Sequence, residues 1–128
     1  MRWTLSATGP AQPDAVWQRY VRPGEWPSWS PQIRRVDCAD DALRAGSTGT
    51  VHALFGLSVP FEVTEVDPGR RSWAWRVTLP FGIRLSLRHA VLATATGSRT
   101  TLLLDGPAPV VLCYLPLAEL ALVRLLRA

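Results

Sequence analysis

Residues 83–95, IRLSLRHAVLATA, alternate strictly enough to give the segment two unlike faces. Ile83, Leu85, Leu87, His89 and Val91 share one side, and Arg84, Ser86 and Arg88 share the other. That is the period of a strand with one buried and one wet face, as in an antiparallel sheet. The same alternation sets Trp73, Trp75, Val77 and Leu79 against Ala74, Arg76 and Thr78, and Val51, Ala53 and Phe55 against Thr50, His52 and Leu54. A sheet with one apolar face needs a cover. Only residues 110–127, helical in composition, are long and apolar enough to supply it.

The remaining segments fit that frame. Residues 2–7, 32–38, 57–66 and 99–105 read as further strands, and Pro60 inside 57–66 marks an edge or a bulge. DPGR at 67–70 is a hairpin turn, with proline second and glycine third. Asp14 is placed to cap a short helix over Ala15, Val16, Trp17 and Tyr20, which Pro23 and Gly24 end. In the next stretch, EWPSWSPQIRRVD (25–37), Pro27 and Pro31 permit one short helical turn at most. The sum is a strand, one or two short helices, six strands and a terminal helix: one α+β domain over residues 1–128.

Composition narrows the chemistry. A chain of 128 residues can bury a core without disulfides or metals. Cys38 and Cys113 form no framework and read as two free thiols. All fourteen basic residues are arginines, scattered in runs of two at most, with a net charge of +4 and no nucleic-acid motif. The start, MRWTLSATGPAQPD, lacks the apolar run of a secretory leader, so a cytoplasmic location is expected. His52 and His89 fall on opposite faces and make no metal site, and His52 is given no role. Ser58, Ser72 and Ser86 lack a nucleophile setting, and the glycines form no phosphate loop, so no cofactor is expected.

The chain resembles the START-like (SRPBCC) superfamily, in particular its bacterial polyketide cyclase/dehydrase-type members. The resemblance is carried by VWQRYVRPGEWPSWSPQIRRVD, then RAGSTGTV, FEVTEVDPGRRSWAWRV, RHAVL and GSRTTLLLDGP, in that order along almost the whole sequence. It implies a helix-grip: a curved seven-stranded antiparallel sheet around a long C-terminal helix, with an apolar cavity between them. On that fold Trp26 and Trp29 would close one end of the cavity. Trp29 is expected to pack against it, and Trp26 to be the more exposed, since two rings three residues apart across a proline do not easily share one environment. Strand parity gives the lining as Phe55, Trp75, Leu85 and Leu87, with Tyr114 from the helix stripe of Val111, Ala118, Leu122 and Leu125.

His89 should point into the same space, within direct or water-bridged reach of Tyr114 or of a ligand. It reads either as a core histidine satisfied by a neighbour or as a general acid or base with Tyr114 as its partner. Glu62 is expected in solvent, Glu65 on the side of Phe61 and Val63 but at a wet sheet end, and Asp105 in a turn. Three functions remain open: a binder of a small hydrophobic or aromatic molecule, a cyclase or dehydratase using His89 and Tyr114, and a lipid carrier at a membrane surface. Pro116 is expected to interrupt the terminal helix. Leu112, Leu120 and Val123 lie among the charges on its outer side, and a homodimer is expected to cover them, ahead of membrane contact.

Overall fold

The computed structural model describes residues 1–127. The chain runs β1 (Arg2–Gly9), α1 (Pro13–Val21), a 3-10 turn (Pro23–Glu25), α2 (Trp26–Trp29), β2 (Ile33–Cys38), β3 (Thr48–Ala53), β4 (Ser58–Asp67), β5 (Ser72–Leu79), β6 (Ile83–Ala93), β7 (Ser98–Asp105) and α3 (Ala108–Leu125). The seven strands form one antiparallel sheet in the order β1-β7-β6-β5-β4-β3-β2. Strands 2 to 7 are a meander, and tight turns enforce it. The single long crossing takes the chain from β1 at one edge to β2 at the other, and α1 and α2 make that journey.

Inward side chains of the sheet, among them Val63, Trp73, Leu87 and Leu104, are buried against Val111, Ala118, Ala121, Leu122 and Leu125 of α3. This is the helix-grip arrangement that the resemblance implied, with α3 as the cover that the alternation required. Gly49 on β3 lets its neighbouring strands close in: a Cβ there would sit 2.3 Å from the Asp37 carbonyl oxygen of β2 and 2.7 Å from the Phe61 ring of β4.

Several local expectations change. Asp14 does not cap α1, whose N-terminus carries no side-chain cap; its carboxylate instead takes the Arg71 guanidinium at 2.6 Å. Pro60 lies inside the sheet, paired with Thr50 of β3. The proline is tolerated because the β4–β5 ladder begins only at Phe61 opposite Val77. A bulge between Val63 and Glu65 then flips the parity, so Glu65 leaves the inner face and pairs with Arg88 at 2.7 Å. Glu62 meets Arg76 at 2.9 Å and Asp105 meets Arg2 at 3.6 Å. Pro116 does not interrupt α3. The carbonyl it leaves without a helical donor belongs to Leu112, and both residues lie on the exposed side, where water can take its place.

Residues 49–55 do not stay in a strand to the end. Phe55 sits past β3 in a tight turn, with φ 63 and its side chain fully exposed. Phe81, in the β5–β6 turn, repeats this with φ 67, and each is followed by a glycine at φ 72.

Over Ala108–Leu125 the mean hydropathy is 1.7, long and apolar enough to cross a membrane by length and composition. In this fold the helix is instead the sheet's cover. Its outer side exposes Leu112, Leu120 and Val123.

The two tryptophans of the proline-rich segment reverse the expected order. Trp26 is 1% exposed and Trp29 8%. The reason is helical geometry: residues three apart in one turn lie on the same face. Pro27 sits in that first turn, where its missing N–H is harmless. The Trp26 ring packs on Trp75 at 5.1 Å, Phe61 at 5.6 Å and Trp73 at 5.7 Å, with its Nε1 donating to the Tyr20 carbonyl at 2.8 Å. Trp29 Nε1 donates to the Arg19 carbonyl at 3.3 Å. Both rings are core. Trp26→Ala is expected to lose about 3–5 kcal/mol of stability in urea unfolding, and Trp29→Ala less. Equal losses would contradict the central placement of Trp26.

Candidate functional site

The space between sheet and α3 divides in two. The outer chamber, about 230 Å³, has an apolar lining that includes Val51, Val59, Val77, Leu85, Leu87, Val110 and Leu117. No charged side chain lines it, and its only polar side chains are Gln32 and Tyr114. Phe55 and Leu57 of the β3–β4 turn are at its rim, both exposed. Each residue that parity gave as lining belongs to this chamber, but Phe55 stands at the mouth because its strand has already ended.

The inner chamber, about 30 Å³, is walled by aromatic and polar groups: Trp26, Trp29, Trp73, His89, Ser30 and others. Four residues, Gln32, Ile33, Trp75 and Tyr114, line both chambers and form the partition. A volume of this size takes one or two water molecules.

His89 is fixed from three sides. It stands opposite Trp73 in the β5–β6 ladder, and the rings stack at 4.7 Å and 11°. Tyr20 covers it at 4.9 Å. From the diagonal position Trp75 Nε1 donates to His89 Nε2 at 3.1 Å. An N–H donor on Nε2 requires that nitrogen to be unprotonated, so the neutral ring carries its proton on Nδ1. Burial pushes the imidazole pKa down to about 3. Nδ1 has no protein partner.

Tyr114 reaches the same region from α3. Its phenol oxygen accepts from Gln32 Nε2 at 3.3 Å, which leaves its own O–H free to donate. Burial raises its pKa, opposed in part by the Gln32 contact. His89 points inward as expected and shares the inner chamber with Tyr114 without a direct hydrogen bond to it; Trp75 partners the one and Gln32 the other. Gln32 was missed in the sequence. A lone amide between Pro31 and the first residue of β2 reads as a loop residue, yet it is 8% exposed.

The outer face of the sheet holds an array that no motif announced. His52 Nε2 lies 2.7 Å from Asp37 Oδ2, and Ser58 Oγ lies 3.4 Å from His52 Nδ1. Register explains it: β3 sets His52 between Arg35 of β2 and Ser58 of β4. His52 lies on the outer face, as expected. Arg35 contacts the same Nε2 at 3.2 Å, and the group lies on exposed sheet. Lacking a cavity to hold a substrate, it is a surface ion network. Its effect is to lower the Asp37 pKa, through His52 first and Arg35 second. Among the described residues no group of three or more His, Cys, Asp or Glu side chains could hold a metal ion.

These features can be set beside known proteins. No curated protein matches the chain. Among solved structures it is similar to Ara h 8.0201, at 15% identity and TM-score 0.78, over 98% of this chain and 94% of that one. Major latex-like protein 151 from Panax ginseng matches at 14% identity and TM-score 0.78, over 94% and 91%. A protein from Nitrosospira multiformis matches at 13% and TM-score 0.81, over 98% and 94%. Such identities establish the fold alone. The family model described as polyketide cyclase / dehydrase and lipid transport matches residues 2–128. With the helix-grip sheet and the cavity beneath α3, the match over essentially the whole chain means that this protein belongs to the polyketide cyclase/dehydrase and lipid transport family.

Proposed function

We propose that the protein binds a small hydrophobic or aromatic molecule in the outer chamber. The observation that carries this is a cavity of about 230 Å³ whose lining holds no charge and two polar side chains. That volume is under the ~300 Å³ lower end of drug-sized pockets, so the occupant has one or two rings. Trp75, Leu85 and Leu87 form its floor, Tyr114 and Gln32 its polar end, and Phe55 its rim. Trp29 contributes from the inner chamber's wall. Calorimetric titration with 2-methylnaphthalene tests this. Binding in the micromolar range is expected, and Leu85→Trp, which fills the chamber, should weaken it at least tenfold while the fold is kept. No heat of binding to the parent protein would sink the proposal.

The alternative is a cyclase or dehydratase in which His89 and Tyr114 move protons. Its support is their common chamber. Against it stands the imidazole's environment: a ring held neutral down to about pH 3 is a weak base and has no acidic proton near neutrality. That environment has a measurable sign. Above the unfolded pKa of 6.5 both folded and unfolded chains hold His89 neutral. Below it the unfolded chain takes up a proton that the folded chain refuses. Stability therefore falls as pH drops from 6.5 toward about 3, by at most about 1.4 kcal/mol per pH unit. Urea midpoints between about pH 7 and pH 5 should decline in the parent and less steeply in His89→Phe. Equal slopes would refute a neutral, buried His89.

A second copy of the chain is the proposed cover for the outer side of α3. Leu112, Leu120 and Val123 are exposed along it, and Glu119 lies on the same helix as Arg124, so an antiparallel pair can match opposite charges. Light scattering should give twice the monomer mass. A monomer that also fails to float with anionic liposomes leaves neither a dimer nor a membrane carrier standing.

A further inference from the structure

The inner chamber has a chemistry of its own. Gln32, Trp73 and His89 all line it, at 8%, 1% and 5% exposure, and each leaves one buried polar atom without a protein partner: Gln32 Oε1, Trp73 Nε1 and His89 Nδ1. Orphaned buried groups are rare, and three around one small space call for an explanation. The hydrogen-bond pattern fixes what each offers. Trp73 Nε1 is a donor. His89 Nδ1 is a donor too, because Nε2 already accepts from Trp75. Gln32 Oε1 is an acceptor, because its Nε2 is engaged with Tyr114. The residues that line the chamber therefore hold two donors and an acceptor, with no charge among them.

We propose that this chamber is a polar subsite for the hydroxyl group of an aromatic or alicyclic ligand, whose apolar body fills the outer chamber. The inference rests on the binding function proposed above and adds the ligand's class and orientation. A hydroxyl is the small group that serves both kinds of neighbour: its oxygen accepts from Trp73 or His89 while its hydrogen goes to Gln32. A ketone accepts only and leaves the Gln32 oxygen unmet. A carboxylate brings a charge into a space with no cation to meet it, and the neutral imidazole gives none. A methyl group displaces water without replacing its hydrogen bonds. The chamber's size agrees, since about 30 Å³ admits one or two non-hydrogen atoms and no ring. The partition residues Trp75, Ile33, Gln32 and Tyr114 are where the ring would end and the hydroxyl begin.

The test compares 2-naphthol, 2-methylnaphthalene and 2-naphthoate, three probes of one ring system, by calorimetric titration of the parent protein. 2-Naphthol should bind about tenfold tighter than 2-methylnaphthalene, the effect of one to two neutral hydrogen bonds, and 2-naphthoate should bind more weakly than both. Gln32→Leu and Trp73→Phe should each bring the naphthol-to-methylnaphthalene ratio toward one. A parent protein that binds 2-methylnaphthalene as tightly as 2-naphthol overturns the subsite and leaves the cavity's binding function intact. A parent that binds none of the three overturns both. The comparison among probes needs no variant, so a misfolded mutant does not shield the proposal.

Discussion

The packing of Trp26 across Trp73 and Trp75 is the contact on which the rest of the interior depends. Three indole rings meet there with centroids 5.1–5.7 Å apart. They come from two places far apart in sequence: the single helical turn α2 and the central strand β5. Aromatic pairs add about 0.5–1.5 kcal/mol each beyond the area they bury. More important is what the wedge divides. On the α1 side the space under α3 is filled by Tyr20, Trp29 and His89. On the β3–β4 side it stays open and becomes the outer chamber. Here Trp75, with Gln32, Ile33 and Tyr114, divides the space beneath the helix into a water-sized part and a larger apolar part.

The same rings set the electrostatics. Trp75 is a wall of both chambers and also the donor that fixes the His89 tautomer. Its indole therefore couples the apolar site to the polar one, and any change at Trp75 alters cavity shape and hydrogen-bond pattern together. Tyr20, whose hydroxyl bonds Thr100 of β7, closes the packed part from the α1 side. Burial raises the Tyr20 pKa well above its ordinary value, so its phenol stays neutral, and none of the side chains that line the inner chamber is charged. An uncharged interior between an arginine-rich surface and an apolar mouth suits a neutral guest.

Much of this was legible in residue order, and the failures have physical causes. Period-two alternation through Ile83–Val91 and Trp73–Leu79 read correctly as one-sided strands, and it placed Trp75, Leu85 and Leu87 on the cavity floor. Parity failed where the chain broke its own period. The bulge at Val63/Glu65 turned Glu65 outward, and the turn at Phe55 ended a strand that composition alone would extend. The order of Trp26 and Trp29 was misread because proline was treated as a barrier rather than as a residue of a helix's first turn. Gln32 and the Ser58–His52–Asp37 array were hidden for another reason. Both depend on which strands become neighbours, and pairing across β2, β3 and β4 is tertiary information that no local window contains.

The edges of the sheet carry one further consequence. An open sheet has two rows of unpaired backbone groups, and such rows recruit other strands unless they are blunted. Here β2 is one edge. It bears Arg34, Arg35 and Asp37 in six residues and a pairing irregularity between Ile33 and Arg35. The other edge, β1, lies under the end of α3: the Ala11 N–H binds the Leu126 carbonyl at 3.1 Å, and a Cβ on Gly9 would meet that same carbonyl at 2.6 Å. One edge is charged and bent, and the other is roofed by the chain's own C-terminal turn. The Gly9 end of β1 is thereby closed to an added strand, and the charged, bent β2 is a poor template for one.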